Sequence, residues 1–377
     1  MKNLLTSMLL LTCVMSIISC QTNLKHEHLF DSIEYITELE PDFSFDKGVD
    51  LYFGMYGVRS LSIIDSLMVV TTANNNGCWS FFNLNNDYNL EGNHITIGRG
   101  RNEFLYTPWV ADNLLYKDAD DIFSIAVDAG GKRVYKLNVT QTLEDDKLSC
   151  EGLDFKIPSS IYRSRFLNSK TLFATTISDD KAHMERFILK NGEEFTNENM
   201  DRLDMASIDL KVDENGGIKV NDINVLGAFL ASNPAGDIVV EVPLVQNYIN
   251  IYSIDEKSSF SKTLCFGEKI TQAKEIQNLE YADRVAYFKG ITTFEDYFGV
   301  IYLNDTNGNF SDNLSESMKI LFINWKGKLL GLIEIQDTFN CFSIDFAHGD
   351  MYTLNYGTDE ILRYDVKDVI RSMNSRK

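Results

Sequence analysis

One strand pattern recurs six times along the chain, and this repeat constrains the fold more than any other feature of the sequence. In each copy a polar segment ending near Asp, Asn or Gly leads into an apolar strand, a polar turn and a second strand. Apolar and polar residues alternate with period two, which indicates strands and not helices. Equivalent positions of the apolar strand lie 50 to 66 residues apart, at Met68, Ile122, Leu172, Ile238, Phe298 and Met351.

Repeats of this length, each rich in short strands, are typical of a β-propeller. A small twisted sheet cannot bury both of its faces alone, so six such sheets would stack as blades around a common axis. Phe, Tyr and Trp make up 12% of the chain, which we interpret as side chains that fill the spaces between blades. We therefore predict an all-β, six-bladed β-propeller in a single domain over residues 33–377. A pair of β-sandwiches is the alternative.

The sequence also predicts how the first strand of this domain pairs and where helices occur. The strand over residues 33–40 is predicted to pair with the C-terminal blade, which would close the ring and hide a sheet edge. Helical patterns are confined to residues 268–282 and to the tail from Asp365 to Met373.

The N-terminus indicates export. Lys2 precedes an uncharged run from Leu4 to Ile18, the pattern of a signal peptide, and this run is too short to cross a ~30 Å hydrocarbon layer. Its end, Ile17-Ile18-Ser19-Cys20, resembles the lipobox of bacterial lipoproteins, in which a lipid is attached to the cysteine and the chain is cut before it. We predict a signal peptide over residues 1–19, lipidation of Cys20 and a tether over residues 20–32. An ordinary signal peptide cut nearby is the alternative.

These features predict a protein of the cell envelope, held on the outer membrane by lipid such as palmitate. The sequence does not decide whether the protein lies on the periplasmic face or on the cell surface. The net charge of −20 argues against nucleic acid as a partner, because phosphates need clustered Lys and Arg. Outside the cytoplasm the remaining cysteines could form disulfides in three connectivities. They are far apart in sequence, and we predict free thiols at Cys78, Cys150, Cys265 and Cys341.

A further segment supports a family resemblance. Residues 97–104 read Ile-Gly-Arg-Gly-Arg-Asn-Glu-Phe. Together with the lipobox and the six-fold strand pattern, this segment resembles the TolB-like six-bladed propeller lipoproteins of Bacteroidetes, in which Gly-x-Gly-Pro-x-Glu-Phe often links the first blade to the next. Arg101 stands where proline is usual. The resemblance implies a secreted, membrane-tethered propeller and no particular activity.

Candidate ligand-binding residues come from the segments upstream of the repeated strands, which we predict to be the innermost strands. Several carry basic or aromatic side chains within an otherwise acidic chain. Arginine forks bind carboxylate or sulfate bidentately, and aromatic rings stack on sugars or peptide side chains. The alternative is that these bases pair with acidic groups across blades. The residues are Arg59, Trp109, Tyr162, Arg163, Arg165, Tyr287 and Lys289.

The insertion in the fifth repeat is similar in spacing to a calcium loop. Asp305, Asn307 and Asn309 alternate, and Glu316 lies eleven residues beyond Asp305, the place of the bidentate glutamate in such loops. Phe310 stands where glycine is needed. Calcium is therefore one cofactor prediction, and a solvated turn without cofactor is the other.

Motifs of known catalytic machinery are missing from the sequence: it has no Gly-x-Ser-x-Gly, His-Glu-x-x-His or Gly-Lys-Ser/Thr. The histidines His94, His183 and His348 fall in different repeats. We predict a non-enzymatic binding or interaction module for a glycan, a peptide or an envelope protein. The alternative is a propeller hydrolase or lyase acting on polysaccharide, which would gather two carboxylates, or a histidine and a carboxylate, at the channel.

Overall fold

The structure is a computed structural model that describes residues 29–100, 102–128, 130–212, 218–219, 222–255, 257–311, 315 and 317–377. Cys20 and the predicted signal peptide lie outside these residues. Three short strands open the described chain, β1 (Ile33–Ile36), β2 (Phe43–Phe45) and β3 (Val49–Asp50). Six antiparallel sheets follow, and each one forms a blade.

The strands of the first three blades run from the channel outwards. Blade 1 contains β4 (Ser60–Ile64), β5 (Leu67–Thr71), β6 (Asn76–Asn83) and β7 (Asn89–Thr96). Blade 2 contains β8 (Leu114–Asp118), β9 (Asp121–Asp128), β10 (Arg133–Asn138) and β11 (Cys150–Leu153). Blade 3 contains β12 (Ile161–Asn168), β13 (Thr171–Ile177), β14 (Met184–Lys190) and β15 (Glu193–Phe195).

The other three blades complete the ring after a small hairpin of β16 (Lys211–Val212) and β17 (Ile218–Lys219). Blade 4 contains β18 (Ala228–Ser232), β19 (Ile238–Pro243), β20 (Tyr248–Ser253) and β21 (Ser261–Phe266). Blade 5 contains β22 (Val285–Thr293), β23 (Tyr297–Thr306), β24 (Met318–Asn324) and β25 (Leu329–Ile335). Blade 6 contains β26 (Cys341–Asp345), β27 (Asp350–Asn355), β28 (Glu360–Asp365) and, from the N-terminus, β3.

The inner strands establish that the six sheets close into one ring. Each inner strand contacts the inner strand of the next blade, from β4 through β8, β12, β18 and β22 to β26, and β26 contacts β4 again. The six equivalent positions of the repeat all fall in the second strand of a blade. The prediction of a six-bladed, single-domain propeller is therefore confirmed, and the paired sandwiches are excluded.

The prediction about ring closure is wrong. Strand β1 pairs in parallel with β21 of blade 4, Ile33 opposite Thr263, and β2 pairs in parallel with β25 of blade 5. Both partners are outer strands whose free edge the N-terminal segment covers. The ring is closed by β3, which pairs with β28, Asp50 opposite Leu362.

The buried part of the N-terminal segment begins at a lower residue number than predicted. Leu29 and Phe30, which belong to the predicted tether, are 0% and 2% exposed. Phe30 packs on Tyr252 with ring centres 5.5 Å apart, since an apolar side chain gains by leaving water. The folded domain therefore includes Leu29 and Phe30, which precede its predicted start at residue 33.

Aromatic side chains fill the spaces between blades as predicted. At the contact of blades 5 and 6, Phe322 and Phe342 are fully buried with ring centres 6.3 Å apart. Burial of each such ring stabilises the fold by about 1.5–3 kcal/mol.

Helices are short. They are α1 (Val139–Glu144), α2 (Glu198–Asp204), α3 (Ala273–Ile276), α4 (Asn307–Ser311) and α5 (Lys367–Arg376). The predicted helical segment 268–282 is reduced to α3 and one 3₁₀ turn, Tyr281–Asp283, whereas α5 confirms the predicted C-terminal helix. In the described ranges no helix has the length and hydrophobicity that crossing a membrane requires.

The cysteines outside the N-terminus are free, as predicted. Cys78 and Cys265 are buried, whereas Cys150 and Cys341 are half-buried. Burial raises the pKa of the Cys78 thiol to about 12 and that of Cys265 to about 11, so both stay protonated and unreactive near neutral pH.

Candidate functional site

The predicted ligand-binding residues lie on one face of the ring. On this face each outer strand of one blade connects to the inner strand of the next, and we call it the connection face. Tyr162 and Arg163 lie near the start of β12 and Tyr287 lies near the start of β22, whereas Arg165 and Lys289 lie midway along these strands. Arg59 directly precedes β4.

For Trp109 the predicted strand assignment is wrong. The inner strand of blade 2 is β8, which begins at Leu114, and Trp109 lies before it at the start of a 3₁₀ turn, Val110–Asp112. The turn is fixed because the Val110 N–H donates to Oγ1 of Thr71, 3.0 Å away. Trp109 is thereby held at the connection face, 41% exposed.

Asp112, which the sequence analysis does not single out, lies among the arginines. Its surface is exposed, but neighbouring protein atoms desolvate the carboxyl group, which raises its pKa, whereas Arg163 and Arg165 lower it. Asp112 therefore interacts electrostatically with both arginines, and within the described residues no ion pair joins it to either.

The two arginines of β12 have different environments. Arg165 is half-buried and its Nη1 donates to the carbonyl oxygen of Ala111, 3.0 Å away, which ties β12 to the turn that carries Asp112. Burial lowers the pKa of the Arg165 guanidinium and Asp112 opposes that shift. Arg163 is exposed and lies over the ring of Tyr162, 5.9 Å from its centre. Arg165 therefore supports the site, and Arg163 faces solvent.

Tyr356, from the turn between β27 and β28, completes this group from blade 6. Its ring centre lies 6.2 Å from that of Trp109 in an edge-to-face arrangement. Burial raises the pKa of its hydroxyl, Cys341 and Asp112 raise it further, and Arg59 lowers it. Arg59 and Asp112 are therefore both close to Tyr356. We call Arg59, Trp109, Asp112, Arg163, Arg165 and Tyr356 the arginine cluster.

Ion pairing distinguishes this cluster from the interior. The described residues contain no ion pair between a carboxylate and Arg59, Arg163 or Lys289, in contrast to the alternative of cross-blade pairing. Arg186, between blades 3 and 4, shows what such pairing looks like. Its Nη1 lies 2.7 Å from Asp204 Oδ1 and its Nε lies 2.7 Å from Glu241 Oε1.

Tyr162 is held by neighbouring loops and is not free to stack on a ligand. Its hydroxyl donates to Oδ1 of Asn224, 2.5 Å away, and Asn224 in turn donates to Asp222. Asp222 pairs with Arg284, which is 8% exposed. This polar chain crosses the connection face above blade 4.

Lys289 and Tyr287 lie on the far side of that chain, in blade 5. The Nζ of Lys289 is 3.3 Å from Oδ1 of Asn307 and 4.1 Å from the centre of the Phe310 ring. Burial lowers the pKa of the Lys289 amine to about 8. Tyr287 is half-buried beside Phe288. The structure thus divides the predicted ligand residues into the arginine cluster and a separate Lys289 group.

The side chains of the predicted calcium ligands Asp305 and Asn307 form hydrogen bonds with different groups. Asp305 accepts from Asn309 Nδ2 at 2.8 Å and from Ser315 Oγ at 2.9 Å, whereas Asn307 Oδ1 faces the Lys289 amine. Glu316 lies outside the described residues, so calcium binding stays a prediction.

The histidines of the ring contact nearby aspartates but lie outside the arginine cluster. His348 Nδ1 is 2.6 Å from Oδ2 of Asp345, in the turn between β26 and β27 on the face opposite the connection face. His183 lies 3.4 Å from Asp180 within one turn of blade 3. His94 is 8% exposed on β7, an outer strand.

Sequence reasoning missed Asp112 and Tyr356 in this cluster. Neither lies on an inner strand: Asp112 belongs to a 3₁₀ turn and Tyr356 follows β27. A search for polar side chains at the ends of second strands, as well as at the starts of inner strands, would have found Tyr356.

The fold and this geometry define a six-bladed β-propeller with a cationic cluster at the connection face. Neither a protein-family model nor a curated protein matches the chain. The resemblance to TolB-like lipoproteins stays a prediction.

Solved structures with a similar fold share little sequence with the chain. The β-propeller domain of Cps50 (Swd1) from Myceliophteria thermophila is 9% identical, with a TM-score of 0.42 over 85% of this chain and 99% of that chain. A member of the DUF4221 family from Bacteroides vulgatus is 8% identical, with a TM-score of 0.47 over 87% and 96%. A putative 6-phosphogluconolactonase from Bacteroides fragilis is 12% identical, with a TM-score of 0.36 over 82% and 80%. Similarity this distant carries no information on function.

Proposed function

We propose that the protein is a non-enzymatic binding module of the cell envelope, which binds a carboxylate- or sulfate-bearing ligand at the arginine cluster. The observation that carries the proposal is the absence, among the described residues, of any ion pair from Arg59 or Arg163 to a carboxylate. A cation that forms no ion pair with a carboxylate of the described residues, beside an exposed tryptophan, suits a ligand that brings both an anion and a ring or apolar face.

The parts of the cluster support this use in different ways. Arg163 and Arg59 offer guanidinium N–H groups to a planar anion, which arginine binds bidentately. Trp109 offers a ring face, and Tyr356 packs against its edge. Arg165 ties β12 to the turn that carries Asp112 through its hydrogen bond to the Ala111 carbonyl. An acidic glycan and an acidic peptide both match this chemistry, as does an acidic segment of an envelope protein.

The experiment is binding of the full mature chain to an array of sulfated, carboxylated and neutral glycans and acidic peptides. We expect Arg163→Gln to weaken binding to the anionic probes at least tenfold, and Arg59→Gln to add to this loss. Arg371→Gln is the matched control, because Arg371 is exposed and pairs with Asp368 on α5. Equal binding by Arg163→Gln and wild type, or preference for neutral probes, would sink the proposal.

We also propose that lipid on Cys20 anchors this module to the outer membrane. The lipobox Ile17-Ile18-Ser19-Cys20 supports the proposal, and several acyl chains would hold the protein stably at ~0.8 kcal/mol per buried methylene. In cells fed a labelled fatty acid, we expect wild type to be labelled and Cys20→Ser to be unlabelled and released. Labelling of Cys20→Ser would contradict the proposal.

Hydrolysis of a polysaccharide is supported less well by this geometry. Glycosidases use a pair of carboxylates, whereas the described part of the arginine cluster contributes the single carboxylate of Asp112. We therefore favour binding.

A further inference from the structure

The connection that leads into the arginine cluster from blade 6, residues 51–58, exposes two tyrosines. It runs from β3, the outer strand of blade 6, to Arg59 and β4, the inner strand of blade 1. Tyr52 is 83% exposed and Tyr56 is 76% exposed, which makes them the two most exposed large apolar side chains of the described residues. Their rings offer an apolar surface that the packing of the fold does not use.

The backbone that carries these rings is held in place. The apolar residues that alternate with the two tyrosines pack on the core between blades 1 and 6, and among them Phe53 lies 4.5 Å from Phe82, ring centre to ring centre. At the inner end of the segment, the N–H groups of Gly57 and Val58 donate to the carboxylate of Asp359, at 2.9 and 2.8 Å. Binding at the exposed rings therefore requires little further ordering of the chain.

The two tyrosines lie close enough to the arginine cluster for one ligand to reach both. A hydrogen bond to Tyr56 raises the pKa of the Tyr52 hydroxyl, so the two side chains are neighbours. Tyr56 is three residues before Arg59, and because an extended chain covers at most ~3.6 Å per residue, their Cα atoms are within ~11 Å. Arg59 is close to Tyr356, which packs on Trp109. We call Trp109, Tyr356, Tyr56 and Tyr52 the aromatic track.

Charge changes along the aromatic track. Its inner end has the guanidinium groups of Arg59 and Arg163. Beside its outer end, β3 and the turn before β28 carry carboxylates: Asp50 ends β3, Asp359 binds the segment and Glu360 begins β28. These carboxylates would repel a ligand that is acidic along its whole length, such as an acidic peptide. The track therefore suits a ligand that is acidic at one end and neutral along the rest.

We propose that the connection face binds an oligosaccharide with one terminal uronate, held at the arginine cluster, and neutral pyranose units that stack along the aromatic track. The inference rests on the proposed anion site and extends it outwards. The planar carboxylate of a uronate fits an arginine fork. A pyranose has a face of C–H groups and a rim of hydroxyls, which matches the apolar face and polar hydroxyl of a tyrosine.

The dependence of affinity on ligand length tests this proposal. Calorimetric titration of the full mature chain compares glucuronate with hexasaccharides that carry one terminal glucuronate on five neutral units of glucose, galactose, mannose or xylose. We expect at least one hexasaccharide to bind at least tenfold more tightly than glucuronate, and hexaglutamate to show no such gain. A panel in which no hexasaccharide binds more tightly than glucuronate, or an equal gain for hexaglutamate, would overturn the proposal.

Tyr52→Ala combined with Tyr56→Ala is the matched variant. Because both side chains are exposed, we expect the double variant to bind glucuronate as wild type does, which reports an intact fold, and to lose the gain with length. Tyr35→Ala, at an exposed tyrosine of β1, is the control and should keep the gain. A double variant that keeps the full gain would contradict the proposal.

The anion site and the aromatic track fail in different ways. Arg163→Gln should weaken the binding of glucuronate and of the hexasaccharide by the same factor. If glucuronate binding depends on Arg163 but does not improve with length, the track is refuted and the anion site stands. If wild type does not bind glucuronate, or Arg163→Gln binds it equally well, both proposals fail.

Discussion

At the scale of single residues, the strongest electrostatic contacts of the interior are concentrated at Arg186. It is 8% exposed and binds Glu241 through two N–H groups, at 2.7 and 2.8 Å, as well as Asp204. Glu241 is 2% exposed and also accepts from the hydroxyl of Tyr252. The network joins blades 3 and 4, and every one of these charges depends on Arg186.

Arg186→Met should therefore be strongly destabilising. The change leaves Glu241 and Asp204 inside without a counter-charge, and removal of one partner of a buried pair typically costs about 3–5 kcal/mol. Urea unfolding measures this free energy. Arg371→Met, at an exposed pair, should change it by less than about 1 kcal/mol. A loss for Arg186→Met as small as that for Arg371→Met would contradict the account.

A second residue-scale feature explains the glycines of the segment 97–104. The carboxylate of Glu103 lies against Gly98, where an added Cβ would be 2.1 Å from Oε2, and it accepts from the Gly100 N–H at 2.6 Å. Phe104 is fully buried. The segment is part of the connection from blade 1 to blade 2.

Gly98→Ala should push Glu103 off the Gly100 N–H. We expect a loss of about 1 kcal/mol in the free energy of unfolding, the net worth of one hydrogen bond. In a Glu103→Ala background, Gly98→Ala should lower the free energy of unfolding by only about 0.3 kcal/mol. Equal costs in the two backgrounds, measured by urea unfolding, would show that Glu103 is not the obstacle.

At the scale of elements, the second strands were predictable because most of their residues are apolar and buried. The strand β5, for example, is buried at every position. Ring closure was not predictable, because β3 has two residues, both exposed, and its place depends on the edge that blade 6 leaves open.

The candidate site shows the same division. Arg163 lies near the start of β12 and Lys289 midway along β22, both on inner strands as predicted, but the contacts of Lys289 and Trp109 come from segments distant in sequence. Asn307 of α4 contacts Lys289, and Trp109, which precedes blade 2, packs on Tyr356 of blade 6. The spacing of these residues along the chain does not predict the two contacts.

The connection from β23 to β24 gives a test at this scale. Because Asp305 and Asn307 already bind Asn309, Ser315 and Lys289, we expect calorimetric titration with calcium to show no saturable heat. Saturable heat that Asp305→Asn abolishes would instead establish the calcium loop.

At the scale of the whole molecule, the six blades share one continuous ring of contacts, and the N-terminal segment binds blades 4, 5 and 6 together. Such a ring should unfold as one cooperative unit. Two tryptophans in blades that are not neighbours report on this, Trp79 in blade 1 and Trp325 after β24 of blade 5.

We expect the two probes of urea unfolding to agree within error in each variant, Trp79→Phe and Trp325→Phe. The probes are the fluorescence of the remaining tryptophans and the far-UV circular dichroism signal, and the quantity compared is the urea midpoint. Trp109→Phe serves as the control because Trp109 is partly exposed. Separate transitions for the two halves of the ring would contradict a single unit.

We propose above that Arg59 and Arg163, which form no ion pair with a carboxylate of the described residues, bind an anionic ligand. Diffraction from crystals soaked in selenate tests it most directly, because selenium is located by its anomalous scattering. The account predicts an anion within hydrogen-bonding distance of Arg163 or Arg59, beside Trp109. Guanidinium groups paired with protein carboxylates, and no selenate in the cluster, would contradict it.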